Sequence, residues 1–204
     1  MMKCYLQNDY KCLCVLLLSL FWMASDAKSF DDSEVLHVSY PGWFNENTFN
    51  DLSEVVNQSI ENGKKGLMVL FTTEGCSYCD QFIRRSLGDS EIASIVQSNF
   101  ESVGLEIFDD VEMLTPAGEI KSIKQFAVDE KVQFSPTLLF YGEQGERILR
   151  MTGYLSPVKF RKVLDFVIHG HYSSTSYGNY LLTEKTAKSV IDKPEKINTA
   201  LIPN

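Results

Sequence analysis

The chain has no Lys/Arg run longer than two; Lys64-Lys65, Arg84-Arg85 and Arg161-Lys162 are the longest, and 19 basic against 27 acidic side chains leave a net charge of −8. Phosphate neutralisation needs clustered cations, so nucleic acid is not an expected partner. A membrane-spanning stretch is also lacking. The apolar run "LCVLLLSLFWMA", Leu13 to Ala24, has 12 residues, where a bilayer takes about 20. No cysteine stands directly after that run, which argues against a lipoprotein, and no internal repeat is apparent. What remains is a chain of 204 residues, enough for one domain of ordinary size plus appendages.

Lys3 and Lys11 precede the apolar run, and Ser25 and Ala27 put small residues at the −3 and −1 positions of a cleavage site. Residues 1–27 therefore read as a signal peptide, with 28–43 an N-terminal extension. The expected location is periplasmic or otherwise exported. The alternatives are a membrane anchor formed by an uncleaved N-terminal segment and a buried N-terminal helix. Export also changes the cysteine count. Cys4, Cys12 and Cys14 leave with the signal, and only Cys76 and Cys79 stay. A disulfide scaffold needs more bridges, and a closed zinc site needs four ligands. His37, His169 and His171 lie too far along the chain from the pair for compact finger spacing, so no metal is expected.

Around the pair the pattern alternates. "TFNDLSEVVNQSIEN" carries Phe49, Leu52, Val55, Val56 and Ile60 at helical spacing, and Gly63 closes it. "GLMVLFTT" is a continuous apolar run between Gly66 and Gly75, as for a central strand covered on both faces. Residues 76–86 lack Gly and Pro and predict a helix starting at Cys76, with Phe82, Ile83 and Leu87 on one side. Asp89 or Ser90 caps a helix carrying Ile92, Ile95 and Val96, and "FESVGLEIF" returns as a strand. Residues 109–119 read as a long loop. Ile120, Ile123, Phe126 and Ala127 then mark a further helix. "PTLLFY", the "GEQG" turn and "ERILRMTG" make a hairpin, and Ser156 with Pro157 opens a last long helix burying Phe160, Val163, Leu164 and Val167. The order predicts an α/β fold, a central mixed β-sheet flanked by helices on both faces.

The strand, the helix-opening "GCSYC", the later "FSPT" before a strand and the hairpin ending in "GYLSP" together resemble the thioredoxin-fold superfamily. Within it the chain is similar to exported thioredoxin-like proteins associated with bacterial sulfur oxidation. The similarity runs from about Phe44 to about Leu182. A thioredoxin-like domain is placed at 44–172. The tail, 173–204, is expected to dock through Tyr177, Tyr180, Leu181 and Leu182 and to be mobile from about Thr183.

The resemblance implies a thiol-disulfide oxidoreductase. Cys76, at a helix start near unpaired backbone amides, is the attacking thiol, and Cys79, one turn in, is the resolving thiol. A permanently closed structural disulfide is the alternative, though a loop this short adds little entropic stabilisation. Pro136 is expected in the cis form, leaving the Ser135 backbone free to pair with a client strand, and Gly153 lets the opposite rim approach. Ser77, Tyr78 and Thr137 complete the expected client-contacting set. The expected partners are client proteins with disulfides or thiols and a membrane thiol-disulfide carrier, for a monomer with no cofactor besides the redox-active disulfide.

Two departures from thioredoxins proper stand out. Leu70 occupies the place of their buried Asp, and Glu74 reads as a surface charge. Between the cysteines stands Ser-Tyr rather than Gly-Pro, which offers Ser77 as a hydrogen-bond donor to sulfur. Ser-Tyr also occurs in glutaredoxins, which gives a glutathione-dependent alternative. "YGEQGERILR", however, has isolated glycines and acidic residues where those enzymes carry a Gly-Gly segment and cations. A nonenzymatic chaperone or peptide-binding module is the remaining alternative.

Overall fold

Strand β1 (Gly66–Thr72) is buried along its whole length. Side chains alternate across a strand, so Met68 and Leu70 enter one core while Leu67, Val69 and Phe71 enter another. β5 (Thr137–Tyr141) divides in the same way, with Leu138 and Phe140 on one side and Leu139 and Tyr141 on the other. A continuous apolar run is what a strand covered on both faces requires. The structure is a computed structural model and describes residues 38–45 and 51–191. Residues 1–27, expected from the sequence to be a signal peptide, the first part of the extension, His37, Phe49 and the tail after Ile191 lie outside the described residues.

β2 (Phe100–Glu106) pairs parallel with β1, β5 pairs antiparallel on its other side, and β6 (Arg147–Thr152) closes the order β2-β1-β5-β6. One face carries α2 (Ser77–Phe82), α3 (Ser90–Asn99) and α5 (Pro157–Ile168) through Phe82, Leu87, Val96, Phe160 and Phe166. The other carries α1 (Leu52–Glu61) and α4 (Ile123–Asp129) through Leu52, Val56, Ile123 and Phe126. The sheet is mixed and helices flank both faces, as the sequence order predicts.

Several local expectations change. Ile60 is 45% exposed, because the inward row of α1 is Leu52, Val55, Val56 and Ser59, and Ile60 lies one step off it. Ile120 is 72% exposed in the short strand β4 (Ile120–Ser122), since the helix starts only after Ser122, whose Oγ accepts from the Gln125 N–H. Residues 109–119 are not a plain loop. β3 (Glu112–Leu114) pairs antiparallel with β4 and buries Met113. The helix after the cysteines ends in a π turn, Ile83–Leu87, which brings Ile83, Ser86 and Leu87 inward together. Ser156 stands at the N-cap of α5 without a side-chain cap bond. α5 is not the last helix, because α6 (Tyr177–Ile191) follows and helical structure extends past Thr183. Tyr177 and Tyr180 set their rings against Phe166, each with centroids 5.3 Å away, while Leu182 is 61% exposed.

Candidate functional site

Where β1 ends, Thr73 to Gly75 turn the chain into α2, and the Cys76 N–H donates to Thr73 O at 3.2 Å. Cys76 is the N-cap of α2 and is half-buried; Cys79 is fully buried. The two form a disulfide with Cα atoms 5.2 Å apart. The Cys79 N–H donates to Cys76 Sγ at 3.1 Å, so one orphan amide of the helix start is aimed at the outer sulfur. Two residues, Ser77 and Tyr78, separate an accessible sulfur from a buried one.

A second loop supplies a hydroxyl. Ser135 Oγ donates to Cys76 Sγ at 3.3 Å and shares a hydrogen bond of 2.8 Å with Thr73 Oγ1. The Ser135–Pro136 peptide bond is cis, and Pro136 is buried. Its carbonyl accepts from the Gly153 N–H at 2.8 Å, and Gly153 has φ 88. The Pro136 loop is thereby tied to the end of β6. Thr137 is fully buried, and its hydroxyl donates to Phe134 O at 2.7 Å, so its side chain shapes the loop from within.

The structure thus gathers Cys76, Cys79, Ser135, Pro136 and Gly153 at one end of the sheet. Ser77 and Tyr78 are exposed on the first turn of α2, Tyr78 at 63%. The hydroxyl that reaches sulfur is that of Ser135, not Ser77, because the first-turn residue after an N-cap points outward while the Pro136 loop faces the sulfur. Sequence reasoning valued Ser135 for its backbone and missed this side-chain contact. Phe134, the first residue of the "FSPT" stretch, is 66% exposed one residue before Ser135.

Beneath and beside the pair the departures take physical form. Leu70 is fully buried in the same core cluster as Phe82, Leu87 and Leu138, and Glu74 is exposed. A groove of about 410 Å³ opens at the ends of β1 and β2, lined by Tyr40, Thr72, Glu74, Glu106 and Asp109 among others. Gly104 lets the Tyr40 ring lie on β2, for a Cβ there would come within 2.2 Å of that ring, and Tyr40 Oη meets Thr72 Oγ1 at 2.6 Å. Burial pushes the Tyr40 hydroxyl up to about 12, with the Glu106 charge adding to the shift against the Thr72 bond. Burial also raises Glu106, and the Glu74 and Asp109 carboxylates push the same way. The groove rim is acidic.

The sequence profile of the thioredoxin-like domain family matches residues 52–168, more than half of the chain. No curated protein matches it. Among solved structures it is similar to a thioredoxin-fold protein from Helicobacter pylori, with 23% identity, TM-score 0.52, and 63% of this chain and 87% of that one covered. A thioredoxin from Thermus thermophilus is 24% identical with TM-score 0.44, covering 56% and 82%. The DsbD C-terminal domain from Neisseria meningitidis, in its oxidised form, is 13% identical with TM-score 0.43, covering 55% and 89%. With β1, the Cys76–Cys79 turn, the cis Pro136 loop and helices on both faces of a mixed sheet, the chain belongs to the thioredoxin-like domain family.

Proposed function

We propose that the protein is an exported thiol-disulfide oxidoreductase that exchanges electrons with disulfides of client proteins through Cys76 and Cys79. The observation that carries this reading is the asymmetry of the pair, a half-buried sulfur with amide and hydroxyl donors aimed at it and a fully buried partner one turn on. Such donors favour a thiolate at Cys76 once the disulfide is reduced, and the thiolate is the nucleophile.

In the reducing direction the Cys76 thiolate attacks one sulfur of a client disulfide. The client S–S bond breaks, a mixed disulfide forms, and the first client sulfur leaves as a thiolate that takes a proton from solvent. Cys79, deprotonated, then attacks the Cys76 sulfur. The mixed disulfide breaks, the second client thiol departs, and the Cys76–Cys79 bond closes. Two electrons pass from the pair to the client, and a membrane dithiol carrier restores the reduced pair. In the oxidising direction the same steps run in reverse. Ser77, Tyr78 and the Ser135 backbone are assigned to client contact, with the chain acting as a monomer. The narrower association with sulfur oxidation rests on the sequence resemblance alone. No described helix is long and apolar enough to cross a membrane, and export rests on the N-terminal pattern.

The test is reduction of a disulfide-containing client such as insulin by the pre-reduced protein, together with equilibration of the pair in glutathione buffers. Turnover is expected for the parent and none for Cys76→Ser, with a single two-electron transition. Equal turnover by Cys76→Ser would sink the assignment.

A further inference from the structure

α5 begins against the helical segment that the cysteines open, where Ser86 Oγ donates to Leu155 O at 2.7 Å and Phe82 packs on Phe160 with centroids 5.1 Å apart. Its 12 residues then carry the chain about 18 Å away, to a second group of chemically capable side chains. Asp165 lies in the last turn. His169, four residues on, shares its face, and its Nδ1 stands 3.1 Å from Asp165 Oδ1. Gly170 follows with φ 69, in the left-handed region that glycine enters without a Cβ clash. The chain therefore reverses, and His171 Nε2 comes to 3.9 Å from Asp165 Oδ2. One donor atom from each of the three residues lies within 4.8 Å of the other two. The α6 residue Tyr180 completes the arrangement. Its hydroxyl donates to Asp165 Oδ2 at 2.5 Å, and its ring stacks on His171 with centroids 5.0 Å apart.

We propose that Asp165, His169 and His171 form a binding site for a divalent transition-metal cation of the zinc class, at the pole of the domain opposite the disulfide. Two imidazoles and one carboxylate are donors that Zn²⁺, Ni²⁺ and Cu²⁺ accept, whereas Ca²⁺ and Mg²⁺ take oxygen sets. The left-handed Gly170 is an ordinary helix stop, and a helix-terminal ion pair accounts for His169 beside Asp165, but neither calls for a second imidazole, that of His171, at the same carboxylate. Tyr180 supplies the outer contact that orients a ligating carboxylate. The three side chains are 48%, 62% and 41% exposed, so a cation reaches them from solvent and water fills its remaining positions. Because Tyr180 comes from α6, occupancy ties the end of α5, the Gly170 turn and α6 together.

The probe is ZnCl₂ titrated calorimetrically into the full chain, with the Cys76–Cys79 disulfide closed and Cys4, Cys12 and Cys14 alkylated so that thiolates do not compete. One equivalent is expected that His169→Ala and His171→Ala each weaken by at least about tenfold. Asp165→Asn, close in size to the parent residue, should weaken it likewise if the alanine variants fold poorly. In the parent, the imidazole nitrogen resonances of His169 and His171 should shift together on zinc addition. Absence of binding by the parent, an equivalent unchanged in the His169→Ala/His171→Ala double variant, or shifts confined to His37 would each overturn the proposal.

Discussion

At the scale of single residues, the chemistry turns on what surrounds one sulfur. The Ser135 hydroxyl and the Cys79 amide both point at Cys76 Sγ, and a thiolate accepts such bonds more strongly than a disulfide sulfur does. Ser135→Ala should therefore destabilise the reduced pair relative to the oxidised one. Allowing for the bond the disulfide already accepts, the effect is on the order of 1 kcal/mol, or about 20 mV toward a more reducing potential. Ser135→Thr, which keeps the hydroxyl, should restore the parent value in glutathione buffers; equal potentials for parent and Ser135→Ala would remove the hydroxyl from the account. The two cysteines and Pro136 were legible in the sequence because their spacing and neighbours are local patterns. The Ser135 hydroxyl was not, for it meets Cys76 across 59 positions, and only the packing of two loops brings them together.

At the scale of elements, the support under the site is apolar where thioredoxins proper place an acid. Leu70 sits fully buried among Phe82, Leu87 and Leu138, so Leu70→Ala should cost about 2–5 kcal/mol in urea unfolding by leaving a cavity beneath α2. A loss well under ~1 kcal/mol would mean that the cluster does not support the strand as described. α3 offers a test by pH. Asp89 accepts from the Ile92 and Glu91 amides and pairs with Arg161 of α5, and the Ile92 bond first, then the Arg161 charge, hold its carboxyl below the usual range. A carboxyl depressed in the folded state contributes stability that is fully present above its unfolded value and is lost as pH falls through the folded one. Asp89→Asn keeps a capping oxygen without the charge, so its stability should fall less steeply on the acid side than the parent's; parallel curves would contradict that role. Long apolar or amphipathic runs such as β1 and α5 were readable in advance. The β3–β4 hairpin was not, since three-residue strands show no period; Ile60 misled because it lies one step off the inward row of α1, and Ile120 because α4 starts only after its N-cap Ser122.

At the scale of the whole molecule, the domain places its Cys76–Cys79 disulfide toward one end of α5 and the Asp165, His169 and His171 cluster at the other, with an acidic groove at the ends of β1 and β2. The proposed export makes a prediction for the intact chain. Protein recovered from the exporting cell should begin near Lys28 and contain two cysteines, and a mass that retains Cys12 would instead favour a membrane anchor. The central claim, that Cys76 attacks and Cys79 resolves, is tested most directly by mixing reduced Cys79→Ser protein with a disulfide-bonded client and mapping the product by mass spectrometry. The expected result is a stable covalent complex through Cys76, which the parent forms only transiently. Absence of an adduct at Cys76, or faster alkylation of Cys79 than of Cys76 in the reduced parent, would contradict it.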